Sequence, residues 1–226
     1  MDGHDQMEAN QDPNFVLRLS DITVLLDRSG SMRSVQQETI DGFNGFLSGQ
    51  RAASGQAVLS HVQFDSRDMH EQIGPAATPV NLTPNLTPQT YRPRGGTPLW
   101  DALGTCILAT DARLRANTEH GMQRDIVFVV ITDGYENASR QFTKDEVIAM
   151  IRYREAVLGW KFIYLGADVD TLGRGYVGSR RERSVTINKA KIHEAMTQVS
   201  DKLAAYRRTG DQKHLDWTGK ERSDLS

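Results

Sequence analysis

The chain has 226 residues, 38% of them hydrophobic, and a formal net charge of −2 at pH 7. This length predicts one domain with one sizeable core. The near-neutral charge excludes a general attraction to nucleic acid, because there is no basic excess for phosphates to attract. A single cysteine excludes a disulfide within the chain.

The two ends of the chain are polar. Residues 1–14 are acidic and polar, unlike a signal sequence, and no apolar stretch reaches transmembrane length. We therefore expect a protein that is cytoplasmic, or that leaves the cytoplasm by a non-classical route, with no membrane contact. The predicted organisation is a disordered N-terminal arm over 1–14, a folded domain over 15–208 and a polar C-terminal tail over 209–226.

The first predicted strand is the apolar run Ile22–Leu26, and an acidic residue and two hydroxyls follow it at alternate positions. In an extended segment alternate side chains point to one side, so Asp27, Ser29 and Ser31 can converge while Gly30 lets the backbone bend. Oxygen ligands of this kind suit a hard cation, Mg²⁺ first, with Mn²⁺ or Ca²⁺ as alternatives. The same pattern also fits a turn that closes a strand and caps a helix.

A helix and an antiparallel pair of strands are predicted next. Ile40, Phe43 and Leu47 have the spacing of one apolar helix face. Two strand-like segments, 57–64 and 69–82, then flank a short turn, which indicates an antiparallel pair at the edge of a sheet.

A glycine turn at 94–98 opens the following helix. Thr97 is predicted at its N-cap and Pro98 at its first position. Cys106 has the spacing of a residue that faces the core, so we interpret it as buried packing and not as a catalytic thiol.

A second apolar run, Asp125–Thr132, is typical of a strand buried on both faces. It delivers another carboxylate, Asp133, at its C-terminal end. Taken alone, Asp133 and Gly134 would indicate only a turn.

The rest of the chain continues the alternation of helices and strands. Thr143 and Glu146 have the spacing of a capping box at the start of a helix. Strands are predicted at 160–165 and around 185–187. The last predicted helix has one continuous apolar face, made of Ile192, Met196, Val199, Leu203 and Tyr206.

This alternation predicts an α/β fold: a Rossmann-like, doubly wound, mostly parallel sheet with one antiparallel edge strand and helices on both faces. Ligands of such folds bind beyond the carboxyl ends of the strands. Asp27 and Asp133 are both predicted at those ends, and Asp27 is expected at the exposed rim.

Three segments in this order, DRSGSM, GGTPLWDAL and ITDGYENAS, resemble the metal-ion-dependent adhesion site of von Willebrand factor A (VWA) domains. The resemblance extends from about residue 15 to about residue 208 and is greatest to compact intracellular VWA proteins of bacteria and their phages. It implies that five side chains hold a divalent cation: Asp27, Ser29, Ser31, Thr97 and Asp133.

The predicted ligands also indicate a function. Two carboxylates formally neutralise a dication, whereas neutral hydroxyl ligands reduce its positive charge only a little. The cation therefore stays electrophilic. The resemblance implies that an open coordination position binds an Asp or Glu side chain of a partner protein. We therefore expect a metal-dependent protein-binding module that is not an enzyme; its oligomeric state is left open.

Two alternatives belong to other classes. One is a Mg²⁺-dependent hydrolase or phosphoryl-transfer enzyme with Asp101, Glu136 or Asp168 as a base, although Glu136 and Asn137 better suit bracing of the metal loop. The other is a non-catalytic subunit of a larger machine, such as a partner of an AAA+ ATPase or a component of a phage or injection particle. Residues 173–178 match GxGxxG, but they do not follow the first strand as a dinucleotide loop should.

Overall fold

A computed structural model describes residues 17–116, 122–133, 135–166 and 181–226. The strands are β1 (Leu17–Asp27), β2 (Gln56–Asp65), β3 (Asp68–Pro79), β4 (Met122–Thr132), β5 (Lys161–Gly166) and β6 (Ser184–Thr186). The α-helices are α1 (Gln36–Ala52), α2 (Leu99–Ala116), α3 (Lys144–Ala156), α4 (Ile192–Thr209) and α5 (Gly219–Leu225). In these ranges no helix combines the length and the apolar character needed to cross a membrane.

The six strands form one sheet in the order β3-β2-β1-β4-β5-β6. The β2–β3 pair is antiparallel and the other four pairs are parallel. The predicted fold class is therefore confirmed, including the antiparallel strand at one edge. Because the order reverses next to β1, the carboxyl ends of β1 and β4 lie side by side, and this is where such sheets bind ligands.

Strand β4 is apolar from Ile126 to Ile131 because both of its faces are covered there. Val127, Val129 and Ile131 pack in the core on the side of α1 and α4. Phe128 and Val130 pack in the core on the side of α2 and α3. This packing fixes the carboxyl half of the strand, and Asp133 follows its last residue.

The helix boundaries follow local signals in part. Helix α3 begins with the predicted capping box, in which Thr143 accepts from the Glu146 backbone N–H and the Glu146 carboxylate accepts from the Thr143 N–H. Helix α4 buries its predicted apolar face against the sheet and α1. Cys106 is buried as predicted, and burial raises the pKa of its thiol, which suits packing.

The C-terminal segment is folded, which its polar composition did not indicate. After α4 the chain forms a 3-10 turn at Gln212–Leu215 and helix α5, and it buries Leu215, Trp217 and Leu225. Trp217 Nε1 donates to the Arg183 carbonyl at 3.2 Å. Three apolar side chains spread over a polar segment carry little periodic signal, so their burial depends on the surface that receives them. The domain limits themselves stay a prediction.

Candidate metal centre

Four of the five predicted ligands are connected by short hydrogen bonds at the carboxyl edge of the sheet. Ser29 Oγ and Ser31 Oγ lie 2.9 Å apart. Ser31 Oγ donates to Asp133 Oδ1 at 2.6 Å. Asp27 Oδ1 accepts from the Ser29 backbone N–H at 2.7 Å. Side chains from the loops after β1 and after β4 thus converge on one place.

Asp27 is fully buried, so its predicted position at an exposed rim is wrong. The loop after β1 folds over the strand end, and the fully buried Tyr91 donates its hydroxyl to the Asp27 carbonyl at 2.6 Å. Burial raises the pKa of Asp27 to about 6, although hydrogen bonds from Thr132 and Ser29 oppose this effect. A buried carboxylate with a raised pKa favours a nearby cation, because the cation stabilises its ionised form.

Thr132 is a residue of this site that the sequence analysis did not identify. Its hydroxyl donates to Asp27 Oδ2 at 2.6 Å. Thr132 is the last residue of β4 and stands directly before Asp133. That position at a strand end, facing the end of a neighbouring parallel strand, is the signal that could have identified it.

Thr97 reaches this region through the backbone of its loop. Gly30 N–H donates to the Gly95 carbonyl at 2.9 Å, which joins this loop to the one after β1. Thr97 N–H donates to Asn137 Oδ1 at 2.9 Å, and the Asn137 N–H donates to the Thr97 carbonyl at 3.1 Å. Helix α2 begins only at Leu99, so the predicted N-cap at Thr97 is wrong: the amide of Trp100, in the first turn, instead donates to Glu136 Oε2 and Ser139 Oγ.

The glycine pair before Thr97 permits this close packing of loops. Gly95 has φ of +68°, and a Cβ there would lie 2.6 Å from Ser66 Oγ. A Cβ on Gly96 would lie 2.6 Å from Asn137 Oδ1. Larger residues would therefore push the Thr97 loop away from the loops that it contacts.

Glu136 braces the loop after β4, as expected. Its Oε1 accepts from the backbone N–H groups of Ala138 and Ser139 at 2.8 and 2.7 Å. Its Oε2 accepts from the Trp100 N–H at 3.1 Å, at the start of α2. The carboxylate therefore joins the Asp133 loop to the helix that follows Thr97.

Asp101 has a comparable structural role. Its buried carboxylate accepts from the backbone N–H groups of Arg140, Gln141 and Phe142 at 2.7 to 2.8 Å. A carboxylate that satisfies three amides is poorly suited to be a catalytic base. The third suggested base, Asp168, lies outside the described residues, as does the 173–178 motif.

A buried ionic network next to the metal loop was also not predicted. Arg28 Nε donates to Asp65 Oδ2 at 2.8 Å, and the Arg28 guanidinium also pairs with Glu71. Arg94 Nε donates to the same Asp65 oxygen at 2.9 Å. Burial opposes ionisation of Asp65, yet hydrogen bonds from the Arg67 amide and the two guanidinium groups lower its pKa. The network links the loop after β1 to β2, β3 and the Thr97 loop.

Lys189 is the second unpredicted residue in direct contact with a predicted ligand. Its Nζ lies 2.6 Å from Asp133 Oδ2. The approach does not have hydrogen-bond geometry, and among the described residues no hydrogen bond reaches this buried oxygen. Lys189 belongs to a 3-10 turn at Lys189–Lys191, between β6 and α4, and no local motif marks it.

The chemistry of this cluster fits a hard divalent cation. The donors are carboxylate and hydroxyl oxygens, which such cations prefer. Among the described residues no hydrogen bond reaches the buried Asp133 Oδ2, and the Lys189 ammonium that approaches it shows that this oxygen attracts a cation. Within the described ranges no group of three or more His, Cys, Asp or Glu side chains could hold a metal, so the hydroxyls would be essential ligands.

The comparisons with known proteins extend this picture at the level of fold. The sequence matches no protein-family model, and no curated protein is similar to it. A von Willebrand factor type A protein from Catenulispora acidiphila superposes with a TM-score of 0.53 at 12% identity, covering 83% of this chain and 42% of that one. The chain therefore spans less than half the length of this relative.

Two further structures are similar in the same way. The vWF domain of the type V pili tip protein Mfa5 from Porphyromonas gingivalis has a TM-score of 0.57 at 11% identity, with coverage of 88% and 97%. Proximal thread matrix protein 1 from the mussel byssus, in a structure with a zinc-occupied MIDAS motif, has a TM-score of 0.51 at 14% identity, with coverage of 84% and 46%. The chain thus has a VWA-type fold, as the sequence motifs predicted.

Proposed function

We propose that this chain is a metal-dependent protein-interaction module. Its five candidate ligands, Asp27, Ser29, Ser31, Thr97 and Asp133, would hold a divalent cation, Mg²⁺ first. When bound, the cation supplies an electrophilic centre that attracts a carboxylate oxygen from an Asp or Glu side chain of a partner protein.

The observation that carries this proposal is the cluster itself. Asp27, Ser29 and Ser31 on one loop and Asp133 on another are joined by hydrogen bonds of 2.6 to 2.9 Å. They lie at the carboxyl edge of a VWA-type sheet, and a neighbour with this fold has been solved with metal in its adhesion site. Hydroxyls hydrogen-bonded to carboxylates can exchange these bonds for metal–oxygen bonds with little movement.

Charge supports an acidic partner. Asp27 and Asp133 formally balance a dication, and the other ligands are neutral. Arg33, in the turn after Ser31, and Arg92, shortly before Thr97, have exposed side chains. Cations in the loops around a site attract an acidic partner and disfavour a basic one.

The contacts of the suggested bases favour binding over catalysis. The carboxylates of Asp101 and Glu136 accept hydrogen bonds from backbone amides, which a base that moves protons would have to release. A role as a non-catalytic subunit of a larger assembly is compatible with the same interaction module, and its partner would present the acid.

Metal binding is tested by calorimetry. EDTA-treated protein should bind Mg²⁺ and Mn²⁺ at one site, and Asp133→Ala and Ser31→Ala should weaken binding at least tenfold. Ser34→Ala is the matched control, because this exposed serine follows the metal loop without contacting Asp133. The absence of any heat of binding in the parent protein, at millimolar metal, would contradict the proposal.

The acidic partner is tested with peptides. Two otherwise identical random peptide libraries carry either Glu or Gln at one fixed central position. The Glu library should be enriched on immobilised protein in Mg²⁺, and EDTA should abolish that enrichment. Equal capture of both libraries, or capture that persists in EDTA, would count against a carboxylate bound through the metal.

A further inference from the structure

A lysine ammonium lies against a predicted metal ligand in this structure. Lys189 Nζ is 2.6 Å from Asp133 Oδ2, whereas Asp133 Oδ1 accepts from Ser31. The Asp133 side chain is only 3% exposed and the Lys189 side chain is 42% exposed. The acid is therefore fixed and buried, and its cationic partner approaches from the solvent side.

We propose that Lys189 is an internal cation that a divalent metal must displace from Asp133. This inference rests on the proposed function, because it assumes that Asp133 is a metal ligand. In the metal-free protein the ammonium group supplies part of the positive charge that the two buried carboxylates require. Lys189 thus sets how tightly the site binds its metal.

Electrostatics disfavours two cations on this acid. The Lys189 ammonium, 2.6 Å from Asp133 Oδ2, and a metal held by Asp133 and Ser31 would share one carboxylate. Two cations on one carboxylate repel each other, and burial of the carboxylate reduces the screening. The ammonium and the metal therefore compete for the same acid.

The competition favours the metal at sufficient concentration. A half-exposed ion pair contributes little to stability, since its lysine is readily hydrated when released. A dication carries twice the charge and would engage Asp27 and the hydroxyls as well as Asp133. Because the metal must first displace Lys189, the presence of this lysine should lower the affinity for the metal without abolishing binding.

The local structure holds Lys189 in position. Asn188, which precedes it, accepts the Ala190 N–H at 3.0 Å in a side-chain cap and donates its own N–H to the Leu225 carbonyl at 2.7 Å. Lys191 Nζ contacts the Asp224 carbonyl. The folded C-terminal segment thus supports the turn that presents the ammonium.

The experiment measures Mn²⁺ affinity by calorimetry in the whole chain and three variants. Lys189→Met keeps the length of the side chain without its charge and should bind Mn²⁺ about fivefold more tightly, which is about 1 kcal/mol at 1.4 kcal/mol per factor of ten. Lys189→Arg keeps the charge and should stay within about twofold of the parent. Lys220→Met is the matched control, because it removes an exposed lysine of α5 outside the turn that presents the Lys189 ammonium.

A second readout follows the lysine directly. Acetic anhydride labelling followed by mass spectrometry should show Lys189 becoming more reactive when Mn²⁺ is added, relative to Lys191. This measurement uses the parent protein, so it remains informative if Lys189→Met fails to fold.

The outcomes separate the two proposals. If the parent binds Mn²⁺, but Lys189→Met binds no more tightly and Lys189 labelling does not rise, the inference is overturned and the metal site stands. If neither the parent nor Lys189→Met binds Mn²⁺, the proposed function fails and the inference fails with it. Tighter binding by both Lys189→Met and Lys220→Met would assign the effect to net charge and would also overturn the inference.

Discussion

Two buried acids at the same edge of the sheet have opposite kinds of partner. The Asp101 carboxylate accepts three backbone N–H groups of the 140–142 segment. The Asp133 carboxylate contacts only the side chains of Ser31 and Lys189, as far as the described residues show. Backbone donors cannot leave without unfolding their loop, whereas side chains can rotate into water. The contrast indicates that Asp101 maintains the structure and that Asp133 is available to a ligand.

The largest expected effect is the loss of stability when Asp101, the acid bonded to backbone amides, is replaced. Asp101→Ala should lower the free energy of unfolding by about 3 kcal/mol or more, because three amides lose their acceptor. Urea denaturation measures the loss. Asp101→Asn, which retains one acceptor oxygen, should lose clearly less. A loss below about 1 kcal/mol for Asp101→Ala would show that the amides find other partners.

The second prediction concerns Mg²⁺ binding at the candidate site that includes Asp133. At about 100 times its dissociation constant, Mg²⁺ should stabilise the native state by roughly 2.7 kcal/mol, since it binds only the folded site. For a chain of this size that corresponds to a rise in Tm of about 5–10 °C. A thermal melt across a magnesium titration measures it, with K⁺ at equal ionic strength as control. An unchanged Tm would argue against a metal site.

His61 is a buried polar residue of a third kind. Among the described residues no group hydrogen-bonds either of its ring nitrogens, and the ring stacks on Phe43 at 4.3 Å. Burial, with the charge of Arg28 adding to it, lowers the pKa of His61 to about 3, from 6.5. The native state therefore keeps His61 neutral at a pH where the unfolded chain binds a proton.

The sign of the pH dependence follows. The contribution of His61 to stability is complete above pH 6.5 and is lost as the pH falls from 6.5 towards 3. At pH 5 the loss should be about 2 kcal/mol. Urea denaturation at pH 7 and pH 5 measures it, and His61→Gln should flatten the difference, whereas His214→Gln at an exposed position should not. If the free energy of unfolding changed equally between pH 7 and pH 5 in both variants, this role of His61 would be contradicted.

The smallest expected effect is that of replacing Asp133 on the stability of the metal-free protein. Asp133→Ala should change the free energy of unfolding by less than about 1 kcal/mol, because the exposed Ser31 and the half-exposed Lys189 are hydrated when the acid is removed. The same variant should abolish the rise in Tm with Mg²⁺. A loss as large as that of Asp101→Ala would make Asp133 a structural residue as well.

Local patterns predicted much of this fold. The apolar run of β4, the capping box of Thr143 and the apolar face of α4 are signals that lie within one element, and each is confirmed. The segments around Asp27, Thr97 and Asp133 are also short, so the sequence could bring them into one hypothesis before their positions were known. A VWA-type fold confirms the framework on which that hypothesis was built, and the roles of the five residues as ligands stay a prediction.

Residues far apart in the chain determined the rest. The Tyr91 hydroxyl reaches the Asp27 carbonyl at the buried strand end, and Glu136 and Ser139 accept the first-turn amide of Trp100 in α2.

The C-terminal segment and Lys189 show the same limit. The segment folds because the edge of the sheet receives Trp217 and Leu225. The contact of Lys189 with Asp133 joins the turn after β6 to the loop after β4. Such contacts leave no periodic or spacing signal. The sequence alone identified the candidate ligands. The tertiary structure decided which of them are buried, which are braced and which cation lies beside them, because distance in space is set by packing.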